Sequence, residues 1–315
     1  MKRVQVLMST YNGERYLKEQ IDSIMQQDCE EKGLAQVFLL VRDDGSQDGT
    51  KKILEKAEIK YAGRMMWYRG ENKGVIESFF ELVQHASKEM DYYAFSDQDD
   101  FWCEDKLRCG IEALEKTDEK KVALYCCRTK LVDENLKEIP STIKRPPMRP
   151  GFCNALIENI CNGCTIVMNR RLLQMAQKEF PSFTVMHDWW FYLLASCYGT
   201  VIFDETPHIL YRQHQGNVGG TNAGRFKELV ERIKRFGGNR RNISRQTAEF
   251  LRIFGEEPGY EMDSKVQENL SMARLLVQGR DNAAIRKAMV KEKKLYRQRP
   301  NDNRIFEIIL RLGIY

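Results

Sequence analysis

The chain has 315 residues, of which 42% are hydrophobic and 30% charged, enough to bury a sizeable core in one or two domains. This composition excludes a disulfide-stapled miniprotein and a disordered tail. The longest apolar run, residues 189–197, is about half of the ~18–20 residues that cross a bilayer. Because the N-terminus lacks a signal-peptide pattern and the nine cysteines lack framework spacing, we expect a cytoplasmic protein.

The net charge of +5 is distributed unevenly. Residues 225–315 contain 21 Lys and Arg against 12 Asp and Glu, whereas residues 1–224 contain 29 against 33, so the two parts carry +9 and −4. An acidic first part argues against a nucleic-acid partner there, while the basic part could meet phosphate, an acidic membrane surface or only water. We therefore expect two regions, residues 1–224 and 225–315.

Strands and helices are predicted to alternate along the first region. Apolar runs and helical periodicity predict strands at residues 4–9, 37–41, 65–68, 92–96, 122–127, 165–169, 201–203 and 208–212, and helices at 14–27, 50–57, 74–89 and 187–197. This order implies an α/β fold with a mostly parallel sheet between helices, and a ligand at the carboxyl ends of the strands. In the basic region, residues 226–236 and 303–312 show helical periodicity.

The strongest chemical signal is FSDQDDFW at residues 95–102, where a predicted strand leads directly into Asp97, Asp99 and Asp100. Carboxylates this close repel one another unless a proton or a cation intervenes. A hard divalent ion, Mg²⁺ or Mn²⁺, is the natural partner, and such an ion commonly bridges diphosphate oxygens as well. The alternative is a solvated acidic turn, because Asp is a common turn former.

Two other strand ends carry polar residues. VRDDGSQDGT at residues 41–50 supplies Asp43 and Asp44, and a buried carboxylate there could accept the imide N–H of a pyrimidine base. An Asx turn that caps the next helix explains the same residues equally well. STYNGERYL at residues 9–17 supplies small polar side chains and Tyr11 for a nucleotide. Its lone glycine disfavours a dinucleotide-binding Rossmann dehydrogenase.

Six segments, STYNGERYL, VRDDGSQDGT, ENKGVIESF, FSDQDDFWCEDKL, NGCTIVMNRRLL and HDWWFYLLASCYG, resemble in this order the motifs of family 2 of the inverting glycosyltransferases. The resemblance covers about residues 4–220. HDWW and YRQH…NVGG look most like rhamnosyltransferase-type members that build bacterial cell-wall or capsular polysaccharide. The resemblance implies a GT-A fold with an added C-terminal helical region, a nucleotide-diphosphate sugar donor, and a saccharide or lipid-linked saccharide acceptor.

Residue roles follow from the same resemblance. Asp188 is implied as the catalytic base, although many members have Glu-Asp where this chain has His187-Asp188, which leaves His187 without a role. Asp97 and Asp99 match the DxD motif for Mg²⁺ or Mn²⁺, which implies Asp99 as a direct ligand and Asp97 at the ribose or the metal, a division that the extra Asp100 leaves open. His214 is implied as a further ligand. Donor contacts are implied for Thr10, Tyr11, Asn12, Asp43, Asp44, Asn72, Lys73, Gly74, Asp97 and Arg212. Trp102 and Trp189 are candidates for stacking on a sugar at the acceptor side.

The implied reaction is transfer of a sugar with inversion, with L-rhamnose from dTDP-rhamnose or a UDP-linked hexose as donor. A nucleotidyltransferase that makes the sugar nucleotide is one alternative, but the first loop lacks the glycine-rich basic sequence that grips a triphosphate. A catalytically silent glycan-binding protein is another, disfavoured because Asp97, Asp99 and Asp188 occur together. The pair Cys161 and Cys164 has no second pair beside it, so a zinc or redox centre is disfavoured.

The last predicted helix has an apolar stripe beside Arg304 and Arg311. Its apolar residues are Ile305, Phe306, Ile308, Ile309 and Leu312. Such a stripe suits either docking on the catalytic domain or weak association with a membrane surface. Because lipid-linked acceptors lie at the inner face of the cell membrane, peripheral association there is an expectation.

Overall fold

The computed structural model describes residues 1–140, 146–214, 241–256 and 263–315. Its sheet has eight strands in the order β3-β2-β1-β4-β7-β6-β8-β5. The strands are β1 (Lys2–Thr10), β2 (Ala35–Asp43), β3 (Met65–Arg69), β4 (Tyr92–Ser96), β5 (Phe101–Trp102), β6 (Val122–Val132), β7 (Val167–Asn169) and β8 (Gly199–Arg212). The two strands predicted at 201–203 and 208–212 are thus one strand. The strand predicted at 165–169 starts later, because Gly163–Thr165 form a 3₁₀ turn.

Helices cover the sheet, and the last four elements of the described chain are all helices. They are α1 (Leu17–Met25), α2 (Thr50–Lys60), α3 (Val75–His85), α4 (Lys106–Leu114), α5 (Phe152–Ala155), α6 (Arg170–Ala176), α7 (His187–Tyr198), α8 (Asn242–Phe254), α9 (Ser264–Gly279), α10 (Ala283–Glu292) and α11 (Pro300–Leu312). The helices predicted before residue 198 are present, with α1 and α3 shorter than predicted. The helix predicted at 226–236 and the boundary predicted near residue 224 lie outside the described residues.

The strand register brings the candidate site residues to one edge of the sheet. Strand β1 runs parallel to both β2 and β4, and its register sets Thr10 beside Asp43 and Met8 beside Ser96. The loops that leave the carboxyl ends of these three strands therefore meet. Strand β7 is antiparallel to β4 and β6, whereas β6 and β8 are parallel, so the sheet is mixed.

The central strands are buried on both faces, which explains their nearly continuous apolar sequences. Leu7, Leu40 and Phe95 belong to one buried cluster, and Val6 and Val41 belong to the other. Alternate residues of a strand point to opposite faces, so each strand contributes to both clusters. The sheet is therefore held by two apolar layers that fix the loops at its edge.

The C-terminal helices share the first of these layers. Trp190 in α7 lies edge-on to Phe250 in α8, with ring centroids 6.0 Å apart, and Asn269 Nδ2 in α9 donates to the carbonyl of Cys197 at 3.0 Å. Tyr315 is buried, and its hydroxyl donates to the carbonyl of Leu276 at 2.7 Å. None of the described helices combines the length and the apolar character of a bilayer span.

Candidate active site

The loops after β1 and β2 are tied together by hydrogen bonds. Asn12, whose φ is 50°, donates its backbone N–H to Ser46 Oγ at 2.8 Å, and its side-chain oxygen accepts from the backbone of Gln47 at 2.9 Å. Gly13 N–H donates to Thr50 Oγ1 at 2.8 Å. Asn12 thus joins two loops in which donor contacts are predicted, and it fixes their relative position.

Gln98, which lies between the aspartates of the DxD motif, holds the first loop. Its Oε1 accepts from Thr10 Oγ1 at 2.6 Å and from Tyr11 N–H at 2.9 Å, and its Nε2 donates to the Tyr11 carbonyl at 3.0 Å. Tyr11 remains exposed, so its ring is accessible to a nucleotide, whereas Thr10 is buried. Gln98 is not among the site residues predicted from the sequence, although a neutral amide inside an acidic motif is a feature that could have identified it.

Asp44 is buried, and both oxygens of its carboxylate accept hydrogen bonds from its own chain. Its Oδ1 accepts from the backbone of Lys73 at 2.9 Å and also pairs with Arg42, while its Oδ2 accepts from the backbone of Gly74 at 2.9 Å. Arg42 is completely buried and also donates to the carbonyl of Glu71 at 2.9 Å. Asp44 and Arg42 therefore hold the loop before α3, and the contact of Asp44 with a base stays a prediction.

Asp43 retains an unused acceptor. Its Oδ1 accepts from Ser46 N–H at 2.9 Å, whereas its buried Oδ2 has no hydrogen-bond donor among the described residues. The nearest cation is Arg69, whose Nε lies 3.6 Å from Oδ2. Asp43 thus has an oxygen without a hydrogen-bond donor among the described residues, but its side chain is 0% exposed, so this oxygen is covered by the surrounding loops.

The segment of Asn72, Lys73 and Gly74 forms the outer wall of this loop cluster. Gly74 has a φ of 80°, which favours glycine, and the side chain of Asn72 is exposed. The Lys73 ammonium pairs with Glu81 at 3.0 Å. The Lys73 side chain is therefore held against α3.

Asp99 and His214, both predicted as ligands of one divalent ion, lie in direct contact. His214 Nε2 lies 2.8 Å from Asp99 Oδ2, although 115 residues separate them in sequence. Ligands of an octahedral ion at about 2.1 Å lie roughly 3 Å from one another, so this spacing suits two ligands of one ion. Burial and the charges of Asp99 and Asp188 raise the pKa of Asp97. An uncompensated carboxylate cluster of this kind fits a divalent cation.

The side chain of Arg212, for which a donor contact is predicted, is enclosed by groups of the protein itself. Its side chain is buried, its Nε donates to the carbonyl of Asp99 at 2.9 Å, and its other nitrogens donate to Glu19 and to the carbonyl of Glu134. Its backbone N–H donates to Asp100 Oδ1 at 3.2 Å. The direct donor contact that the resemblance implied for Arg212 has no support in this structure, because the guanidinium is enclosed and holds the metal motif instead.

Asp188 lies in the first turn of α7, directed at the same edge. Its Oδ2 accepts from Gly163 N–H at 2.9 Å and its Oδ1 from the backbone of Trp189 at 2.6 Å. Burial raises the pKa of this carboxyl to about 6, although these hydrogen bonds oppose the shift. A carboxylate with such a pKa is mostly ionised at neutral pH and is a competent general base.

His187 packs behind this carboxylate. Its ring stacks on Phe79 with centroids 3.9 Å apart and lies edge-on to Phe95, and its two nitrogens have no hydrogen-bond partner among the described residues. Burial lowers its pKa to about 3, so the ring is neutral. A Cβ on Gly163 would lie 2.9 Å from His187 Nε2, which explains the glycine beside the base.

The two tryptophans predicted at the acceptor side differ. Trp102 is 1% exposed, and Lys106 Nζ lies over its ring at 3.2 Å from the centroid. The prediction that Trp102 stacks on a sugar is therefore wrong, because its ring is part of the apolar core. Trp189 is half-buried, and its Nε1 donates to the carbonyl of Ala155 at 2.6 Å, so one part of the ring stays open.

The two cysteines of the CxxC sequence are directed to different places. Cys161 Sγ lies 2.9 Å from Cys126 Sγ in the core, whereas Cys164 lies beside Asp97 and Asp100. The two thiols therefore lie in different surroundings.

The family follows from comparison with known proteins. Residues 5–176 match the sequence profile of Glycosyl transferase family 2, which is more than half of the chain. The chain belongs to this family. A dTDP-rhamnosyl transferase, RfbG of Shigella flexneri, is 29% identical over 241 residues, which cover 72% of this chain and 78% of the relative. TuaG of Bacillus subtilis (strain 168), a putative teichuronic acid biosynthesis glycosyltransferase, is 26% identical over 185 residues, 59% of this chain and 68% of that protein.

Solved structures of glycosyltransferases share the fold. TarS 1-349 of S. aureus in complex with UDP has a TM-score of 0.54 at 18% identity and covers 100% of this chain and 93% of that one. The mannosyltransferase PcManGT of Pyrobaculum calidifontis, solved with GDP-Man and Mn²⁺, has a TM-score of 0.53 at 16% identity, with 98% and 84% covered. The expectations of a GT-A fold and of a rhamnosyltransferase-like family 2 glycosyltransferase are confirmed.

Proposed function

We propose that this glycosyltransferase moves L-rhamnose from dTDP-rhamnose, with inversion, onto a saccharide or lipid-linked saccharide in bacterial polysaccharide synthesis. The relative named as a dTDP-rhamnosyl transferase supports this donor. A UDP-linked hexose is the second candidate, since TarS was solved with UDP-GlcNAc and a carboxylate–imide contact treats uracil and thymine alike. Donor binding with each sugar nucleotide separates the two.

The observation that carries the proposal is the position of Asp188. It is a buried carboxylate with a pKa of about 6, oriented by the backbone of Gly163 and close enough to Asp97 to raise the pKa of that residue. In the proposed reaction Asp188 takes the proton of the acceptor hydroxyl as its oxygen attacks the anomeric carbon from the face opposite the diphosphate. The C–O bond to the diphosphate breaks, and no covalent enzyme intermediate is needed.

On the donor side, we assign the base contact to Asp43 Oδ2. This buried oxygen has no hydrogen-bond donor among the described residues, whereas both oxygens of Asp44 already accept backbone N–H groups. Because the Asp43 side chain is 0% exposed, a base would reach it only after a movement of the loops around it. Tyr11 is exposed beside the same loops and is suited to lie against the base or ribose. Asp43→Asn is therefore expected to weaken nucleotide binding while leaving the loop held by Asp44 in place.

Asp97, Asp99 and His214 would hold the divalent cation. Mg²⁺ or Mn²⁺ bound there would neutralise charge that develops on the leaving diphosphate. The protein's own contribution is to hold the motif: Arg212 fixes the backbone at Asp99, and Gln98 ties the motif to the first loop. Asp99 and His214 are in contact, whereas Asp97 lies with Asp100 and Cys164. Calorimetry of nucleoside diphosphate binding with and without Mn²⁺ tests the site. Equal affinity for the nucleoside diphosphate with and without Mn²⁺ would refute this assignment.

Asp188→Asn tests the base. The amide keeps the shape of the side chain but cannot take a proton, so we expect transfer to be abolished while donor affinity stays within a few-fold of wild type. Trp189→Phe is a control at the adjacent residue, since it keeps an aromatic ring and should retain transfer. An active Asp188→Asn enzyme would remove Asp188 from the mechanism.

The last helix, α11, supports a location at the inner face of the cell membrane. Phe306, Ile309 and Leu310 are buried against the core, whereas Ile305, Ile308 and Leu312 are 49%, 59% and 62% exposed. Arg304 and Arg311 are exposed on the same helix. One face of α11 thus packs on the protein core, while a second face presents an apolar stripe to solvent. The two exposed arginines favour contact of this second face with an anionic lipid surface. Ile308→Asp should reduce sedimentation with anionic vesicles at low salt; no sedimentation of the wild type would refute the idea.

A further inference from the structure

A second group of candidate metal ligands lies away from the donor site. Asp105, Cys109 and His208 place one oxygen, one sulfur and one nitrogen within 4.8 Å of one another. His208 is four residues before Arg212 on β8, which at about 3.3 Å per strand residue places it roughly 13 Å along the strand from Arg212, whose guanidinium holds the metal motif. We propose that these three side chains bind a structural Zn²⁺ ion.

The geometry of the three donors suits one tetrahedral ion. His208 Nδ1 lies 2.9 Å from Asp105 Oδ1, and Cys109 Sγ lies 3.8 Å from Asp105 Oδ2. Asp105 precedes α4 and Cys109 follows four residues later, so both face the same side of the helix. Zn²⁺ binds nitrogen at about 2.0–2.1 Å and thiolate at about 2.3 Å, so small side-chain adjustments bring all three to one ion.

The histidine has the support that zinc-binding histidines usually have. Its second nitrogen, Nε2, lies 3.3 Å from Asp204 Oδ2, and this carboxylate is itself held by the hydroxyl of Tyr125 at 2.9 Å and the backbone of Thr206 at 2.8 Å. A carboxylate behind a ligating imidazole fixes its tautomer and orientation. With Nε2–H donating to Asp204, Nδ1 is left as the metal-binding lone pair.

Charge also favours a cation here. Among the described residues, the ion pairs of Asp105 and Asp204 are with His208 alone, so two carboxylates share one imidazole. Asp105 and Cys109 are partly exposed whereas His208 is buried, which leaves an entry path and room for water as a fourth ligand. Sulfur and imidazole together select zinc over the Mg²⁺ or Mn²⁺ of the donor site.

The ion would join α4 to β8. These elements are already linked by the backbone of Cys103, which donates to the carbonyl of His208 at 3.1 Å, and β5 pairs with β8 through Trp102 and Ile209. The segment from β5 to α4 would thereby be held on β8 at β5 by strand pairing and at α4 by the ion. Binding releases the thiol proton of Cys109 to solvent, because the thiolate is the ligand.

The test uses the full-length protein and measures metal binding rather than transfer. We expect one tightly held Zn²⁺ per chain, a thermal midpoint that rises when Zn²⁺ is restored to the chelated protein, and a thiolate-to-metal charge-transfer band with Co²⁺. Cys109→Ser should abolish the band. Asp204→Asn, which keeps the three ligands, should weaken Zn²⁺ binding by about 10–100-fold.

Two cysteine variants are matched controls. Cys103→Ser removes a partly exposed thiol near Asp105, and Cys164→Ser removes the thiol beside Asp97 and Asp100; both should keep the band. Loss of the band in Cys164→Ser but not in Cys109→Ser would place the thiolate ligand elsewhere and overturn the proposal. Wild-type protein that binds no stoichiometric Zn²⁺ would show that His208 only bridges two carboxylates, which also overturns it.

Discussion

Gly163→Ala tests how the base is held. The added Cβ would lie 2.9 Å from His187 Nε2 and 3.6 Å from Asp188 Cβ. The histidine ring cannot retreat easily because it is stacked on Phe79 at 3.9 Å, so the backbone at residue 163 has to move and its N–H leaves Asp188. A hydrogen bond to an ionised group contributes about 1.5–3 kcal/mol.

That loss is measurable as a pH shift. At about 1.36 kcal/mol per pKa unit, losing the N–H donor raises the pKa of Asp188 by roughly 1–2 units above its value of about 6. The acid limb of the kcat profile should move up by that amount. The maximal rate should fall by up to about 10²-fold, because the base is misplaced.

The assay follows release of the nucleoside diphosphate from the sugar nucleotide across pH, with donor affinity and the thermal midpoint measured in parallel. Combining Gly163→Ala with His187→Ala removes the clash and should return the acid limb toward that of the single His187→Ala variant. An unchanged profile in Gly163→Ala, or no recovery in the double variant, would refute this account of the base.

Three further predictions use the same geometry. For the wild type, kcat should fall tenfold per pH unit below about pH 6, because protonated Asp188 cannot accept the acceptor proton; a flat profile from pH 7 to 5 contradicts this. His214→Ala should weaken Mn²⁺-dependent diphosphate binding at least about 10-fold and leave ion-free binding unchanged, since the imidazole lies beside Asp99; calorimetry measures both. Arg42→Met should lower stability by about 3–5 kcal/mol, because the buried carboxylate of Asp44 loses its cation; denaturant unfolding with an unchanged midpoint would contradict it.

Much of the fold was predictable because it depends on local pattern. The strand at Tyr92–Ser96 has the bounds expected from its apolar run, and polar residues at the ends of parallel strands had to meet at one edge. The pairing of Asp99 with His214 was predictable only from the family resemblance, because no spacing rule connects residues so far apart.

The errors came from side chains whose partners are distant in sequence. The contact of Asp44 with the donor base stays a prediction: Arg42 and the loop before α3 bind its carboxylate, but its Oδ2 accepts only one hydrogen bond among the described residues. Arg212 and Trp102 were assigned to ligands, yet both are enclosed. A sequence shows which groups can make a contact, whereas competition among internal partners decides which contact is made.

The packing of the C-terminal helices bears on how this chain can be shortened. The charge of the sequence divides near residue 224, but the apolar core continues across that point. Phe250 and Phe254 pack against Trp190 in α7, the helix that carries Asp188 in its first turn. Removing the basic tail would uncover this aromatic surface and loosen the support of Asp188. Chimeras that exchange acceptor specificity among relatives should therefore carry their own α8 and α9 rather than join a foreign tail to α7.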